Sequence, residues 1–174
     1  AERGPDSAGL AVFGTPVRKD LRRFNLFSPE HEYDWKALLA AHKKRFSAEL
    51  KKPSGAEIDP LNNHAILITG AAPEAVKAWL REHDPRLHLL SVGRSIDIYK
   101  DMGNPREIAR RYRFEELKGS HGIGHTRMAT ESAVSPAHAH PYTAGEDFCL
   151  VHNGSLSNTY MLRRKLEAHG LQFE

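Results

Sequence analysis

The apolar residues of this 174-residue chain come in short runs, and none approaches the roughly 18 residues that cross a bilayer. Leu10-Ala11-Val12-Phe13 and the stretch His64 to Thr69 have the length and bounding turn residues of buried strands, and Arg18 to Phe27 alternates loosely enough to be another. Between Tyr33 and Leu50 the period changes. Trp35, Leu38, Leu39, Phe46 and Leu50 recur at helical spacing, with Ser28-Pro29 and Asp34 as start signals. The chain thus mixes strand-like and helical stretches, with no internal repeat.

The same pattern continues downstream. Pro73 to His83 is predicted to be a helix with proline in its first turn, Leu87 to Tyr99 a strand region containing Gly93, and Arg106 to Tyr112 a basic helix opened by Asn104-Pro105. Arg106, Arg110, Arg111 and Arg113 then form a solvated face rather than a phosphate site. Asp147 to His152 is expected as a strand, followed by a helix from about Ser157 to His169 with Leu162 and Leu166 on its apolar stripe. Glu2 to Gly9 has turn and loop chemistry, and Lys51 to Gly55, continuing to Asn62-Asn63, is the expected internal linker. The chain starts at Ala1 and stops just after Gly170 would end a helix, so both ends are expected to continue into further chain.

Twenty-five Lys and Arg against 22 Asp and Glu leave a formal charge of +3, too small and too scattered for a nucleic-acid footprint. A single cysteine excludes an internal disulfide and a thiolate zinc cage. With no charged-then-apolar start, the expected setting is the cytoplasm, with no membrane contact.

Two places carry candidate chemistry. Asn153-Gly154, after an apolar strand, fits a hairpin turn, but a side-chain amide and a flexible backbone N–H at a strand end also make an oxyanion hole. Arg127, flanked by small residues with Thr126 and Thr130 beside it, can present its planar fork to a carboxylate or sit in a buried ion pair. Together they suit an amino-acid substrate in acyl transfer. Cys149 lies in the apolar run Phe148 to Val151, about 13 Å along an extended strand from Asn153, which favours a packing role over a nucleophile. His121, His125, His138 and His140 could be drawn as a metal site, but neither pair has a helical His-Glu context, so no metal is expected. Gly119, Gly122 and Gly124 miss the dinucleotide fingerprint.

Three segments, Arg3 to Gly9, Gly124 to Thr130 and Leu150 to Asn158, together resemble the class II glutamine amidotransferases, whose N-terminal-nucleophile glutaminase domain releases ammonia from glutamine. The run His125 to Ser132, His140-Pro141 and Val151 to Asn158 is most similar to the stand-alone amidotransferase subunits related to glutamate synthase and N-methylglutamate synthase. Asn63 to Ala65 and Ser91 to Ile96 also resemble that subgroup.

The resemblance implies that Arg127 holds the glutamine α-carboxylate, that Thr130 and His140 line the same pocket, and that Asn153 and Gly154 form the oxyanion hole. Met128 and Glu131 stand where relatives have other residue types. The implied nucleophile is an N-terminal cysteine whose own α-amine is the base, and the implied acidic ligand of the glutamine amino group follows Glu174; neither is among these residues. The implied fold is a partial four-layer αββα N-terminal-nucleophile hydrolase, with residues 15–118 as an inserted α+β subdomain of the 1–174 amidotransferase domain. The implied partner is a synthase subunit that receives ammonia and carries FMN and an iron–sulfur cluster, cofactors for which this chain has no evident ligands. A different class also fits these motifs: a binding or regulatory subunit that keeps the fold without catalysis. Cys149 as nucleophile is a third alternative.

Overall fold

The computed structural model describes residues 4, 6–48, 50, 55–127, 139–154 and 157–171. They form an α+β structure of antiparallel sheets and helices, as expected. Strand β1 (Ser7–Phe13) runs antiparallel to both of its neighbours, β6 (Ile96–Met102) and β7 (His121–Arg127), in a three-stranded sheet of order β6-β1-β7. Ser7, Ala8 and Gly9, expected in a loop, thus begin the central strand. Small side chains suit a strand flanked on both edges and packed on both faces.

The second sheet has order β3-β4-β2-β5, from β2 (Arg22–Phe27), β3 (Glu57–Leu61), β4 (His64–Thr69) and β5 (His88–Gly93). Here the expected linker needs correcting. Its part from Glu57 to Leu61 pairs with β4, and Asn62, at φ 56°, makes the turn between them. The polar residues and Pro60 that suggested a linker suit an edge strand, where one row of backbone groups needs no partner. The strand region expected over 87–99 is two strands, β5 and β6, joined by a short turn at Arg94-Ser95.

Phe24, Leu26, Ala65 and Leu67 form one face of the second sheet and pack on helices α1 (Trp35–Arg45) and α2 (Pro73–His83) through Trp35, Leu38, Val76, Trp79 and Leu80. The Asp34 side chain caps α1 by accepting from the Ala37 N–H at 2.9 Å. The opposite face, with Ile66 and Ile68, meets Ala8 and Tyr99 of the first sheet together with Ile108 and Tyr112, on and just after helix α3 (Pro105–Arg111). Polar ties fix the two sheets. Asn25 donates from Nδ2 to the Ile96 carbonyl at 2.9 Å and accepts from the Ile98 N–H at 3.1 Å. Arg23 grips Asp97 with two parallel hydrogen bonds.

Residues 15–118 thus supply the whole four-stranded sheet, α1, α2 and α3, and also β6, the edge partner of β1. Toward the C-terminus, β8 (Tyr142–Thr143) pairs with β9 (Cys149–Leu150), which is shorter than the strand expected over 147–152. Helix α4 (Thr159–Ala168) follows; its Tyr160, Met161 and Leu162 are exposed, so the apolar stripe read from its period is not covered by the described residues. Among those residues no helix is long and apolar enough to cross a membrane.

Candidate functional site

Strand alternation puts Ser7, Gly9 and Ala11 on one face of β1. The pairing register then sets Lys100 and His125 on either side of Gly9, and Met102 and Arg127 on either side of Ser7. Arg127 is the last residue of β7, and its carbonyl accepts from the Asp6 N–H at 3.1 Å, which pins the arginine to the start of the central strand.

The segment carrying His140 lies across this face. A Cβ on Gly9 would fall 2.1 Å from the His140 carbonyl oxygen and 2.8 Å from Lys100 Cβ, so the loop backbone occupies the space of the missing side chain. Lys100 Nζ donates to the carbonyls of Ala139 at 3.0 Å and Pro141 at 3.3 Å. The His140 ring packs between His125 and Tyr142, with both centroid distances 4.4 Å. Burial pushes the Lys100 ammonium down to about 8. His140 is also held below the usual imidazole range, first by burial and then by the positive fields of His125, Arg127, Lys100 and His152. Ser7 Oγ, His125 Nδ1 and His140 Nδ1 are buried without hydrogen-bond partners among the described residues.

Of the residues singled out from sequence, Arg127 therefore lies within electrostatic reach of His140, as does His152, the neighbour of Asn153. Asn153 and Gly154 are exposed beyond β9 and lead toward α4 rather than into a hairpin between described strands. Gly154 has φ 154°, a conformation that side chains disfavour. Thr130 lies outside the described residues, as do Met128, Glu131 and His138.

Cys149 is buried against Ala11, Ile96 and Ile98, and burial pushes its thiol up, away from the thiolate a nucleophile needs. His121 stacks on Phe13, with ring centroids 4.4 Å apart, and stands four residues, about 13 Å, along β7 from His125. It cannot share a metal ion with that residue. Among the described residues no three His, Cys, Asp or Glu side chains cluster as a metal site.

Sequence reasoning missed Gly9, Lys100 and Asp147. For Lys100 a signal existed: it continues the row Ile96, Ile98 on a strand whose alternate residues are buried, so a lysine stands at an apolar position. Asp147, at φ 50°, turns its carboxylate onto the β5–β6 turn. It accepts from the N–H groups of Arg94, Ser95 and Ile96 and from the Ser95 hydroxyl at 2.8–3.0 Å. Burial alone would raise its pKa, but these donors outweigh it and hold the carboxyl below its ordinary value. The segment leading to β9 and Asn153 is thereby fastened to the main body. Asp147→Asn, which keeps the shape and tolerates the positive φ, is expected to cost about 2 kcal/mol in chemical denaturation. The difference from wild type should shrink as the pH falls below the ordinary aspartate range, because wild-type Asp147 protonates there as well.

No protein-family model matches the chain. It is 42% identical over 174 residues to the glutamine amidotransferase-like protein GlxB of Rhizobium meliloti (strain 1021), covering 99% of this chain and 55% of that protein. A protein of Methanothermobacter thermautotrophicus that also carries a glutamine amidotransferase name is 35% identical over 188 residues, covering 99% of this chain and 58% of its own length. The glutamine–fructose-6-phosphate aminotransferase (isomerizing) of Bacteroides thetaiotaomicron is 34% identical over 87 residues, which is 49% of this chain and 14% of that enzyme. The chain thus spans a little over half the length of the first two relatives. With the antiparallel α+β fold and relatives of this kind along its whole length, the chain belongs to the class II glutamine amidotransferase family.

Proposed function

We propose that these residues are the glutaminase module of a class II glutamine amidotransferase, which hydrolyses glutamine to glutamate and ammonia for a glutamate-synthase-like partner. The observation that supports it most is the grouping of Arg127 with unpartnered polar atoms of Ser7, His125 and His140 around one end of the β1 face. A planar guanidinium beside unmet hydrogen-bonding capacity suits a small zwitterion with a carboxylate and an amide.

In this mechanism Arg127 binds the α-carboxylate, and His140 and Thr130 line the pocket. An N-terminal cysteine, which is not among the 174 residues, attacks the side-chain amide carbon, and its α-amine takes the thiol proton. The negative charge that develops on the amide oxygen is met by two donors, the Asn153 side-chain amide and the Gly154 N–H. Collapse of the tetrahedral species transfers a proton to the leaving nitrogen and releases ammonia; water then opens the thioester to give glutamate. FMN and an iron–sulfur cluster belong to the partner subunit in this scheme, the setting is cytoplasmic, and residues 15–118 form an inserted subdomain that contacts the partner.

The test is ammonia and glutamate release from glutamine by the full-length protein. Arg127→Gln is expected to raise KM for glutamine about a hundredfold through loss of a charge-assisted, bidentate contact. Absence of any glutamine-dependent ammonia release from the wild type would reject the enzyme and favour a binding or regulatory subunit.

A further inference from the structure

We propose that Lys100 is a positioning residue of this site, its ammonium clamping the 139–141 loop into the notch over Gly9 and so setting His140 beside Arg127. Its catalytic consequence rests on the glutaminase reading above; the clamp itself is a matter of geometry.

Three features carry it. The register places Lys100, Gly9 and His125 in one cross-strand row, and the loop backbone sits directly on the middle member, where any other residue would collide with the His140 carbonyl. The lysine reaches over this notch to donate to the carbonyls of Ala139 and Pro141, on either side of His140, while its stem stays in the row of Ile96 and Ile98. Finally, Lys100 is buried, and the neighbouring carboxylate does not compensate it: Asp101 points to the other face, where it pairs with Arg111 at 2.7 Å and accepts from the Tyr112 hydroxyl. A buried ammonium is costly, and a methionine would fill the same row without that penalty. The carbonyl contacts are what the charge achieves here.

The test uses the full-length protein with Lys100→Met, Lys100→Arg and Gly9→Ala. The readouts are kcat and KM for glutamine and deuterium uptake of the peptide containing residues 139–143. Lys100→Met and Gly9→Ala are each expected to raise KM about ten- to a hundredfold while kcat stays within about threefold, the scale for losing charge-assisted hydrogen bonds that hold a binding element. Uptake should rise in the 139–143 peptide and not in β1 or β6, and Lys100→Arg should return both readouts toward wild type. Unchanged KM and uptake in Lys100→Met would overturn the clamp. So would uptake rising throughout β1 and β6 with kcat falling in step, which marks general loosening. If Lys100→Met does not fold, Gly9→Ala decides by the same criteria. If the wild type releases no ammonia, the glutaminase reading fails, and local uptake alone decides the clamp: a rise confined to 139–143 supports it, and no rise rejects it.

Discussion

Asn153→Ala in the full-length protein is expected to lower kcat for glutamine hydrolysis by about two to three orders of magnitude, with KM changed far less. The asymmetry follows from the proposed role. A donor aimed at the amide oxygen gains most when that oxygen carries a full negative charge, which happens only in the tetrahedral species. Arg127, in contrast, meets a carboxylate that is charged throughout, so its loss acts on binding at every stage. The two variants should therefore separate cleanly, Asn153→Ala in kcat and Arg127→Gln in KM. Asn153 is exposed and lies outside the hydrophobic clusters, so a change in melting temperature should be small. Turnover within a few-fold of wild type would reject the oxyanion assignment for this residue.

Acidification is expected to destabilise the fold by several kcal/mol between pH 6.5 and 4, through two histidines far from that chemistry. His42 lies against Phe46 and Trp79, with centroid distances of 4.8 and 5.4 Å, and both of its ring nitrogens lack partners among the described residues. His64 is inserted between the sheets. Its Nε2 accepts from the Lys100 N–H at 3.4 Å, so the neutral ring carries its proton on Nδ1, which is 3.1 Å from Asn63 Oδ1. Burial lowers both imidazoles to about 4. Unfolded, they take up protons near pH 6.5, so between these values the unfolded chain binds more protons and stability falls as the pH falls. The slope is about 1.4 kcal/mol per pH unit for each fully responding histidine, or roughly 3 kcal/mol each by pH 4, against a typical total of about 5–15 kcal/mol. The Asp147 contribution is lost only below about pH 4, so the two effects occupy separate windows. Denaturant titrations at pH 7, 5.5 and 4.5 read the slope, and His42→Phe should roughly halve it. Stability that is flat from pH 7 to 5 would show that these rings are not buried in their neutral form.

What the sequence disclosed follows from how local each signal is. Helix α2 is bounded as predicted, because proline at its start and an amphipathic stripe with Val76, Trp79 and Leu80 are contained within eleven residues. Strand β4 is equally plain, as an uninterrupted apolar run ending at Thr69. The edge strand β3 was hidden by Pro60 and Asp59, since edge status is a property of the sheet and not of the segment. Arg127 and His140 were legible as motif members, but the seating of the His140 segment over Gly9 depends on a loop crossing a strand 131 residues earlier than His140. Asp147 was read as the start of a strand because nothing nearby shows that its donors stand 51–53 residues away. Where a polar side chain is used locally, as Asp34 is in capping α1, sequence finds it; where it ties distant elements, only the folded register does.

The central position of β1 also sets an order of events during synthesis. Among the described residues, β1 gains its first partner only when β6 follows, 83 residues after Phe13, and its second only with β7. At ordinary elongation rates of about 5–20 residues per second, β1 waits about 4–17 seconds for β6 while the four-stranded sheet and its two helices assemble. In the cell, therefore, β1 should be made well before the strands that flank it. Closing the β6-β1-β7 sheet and seating the His140 loop on Gly9 then become late steps, so the candidate site can be completed only after the bulk of the core is in place.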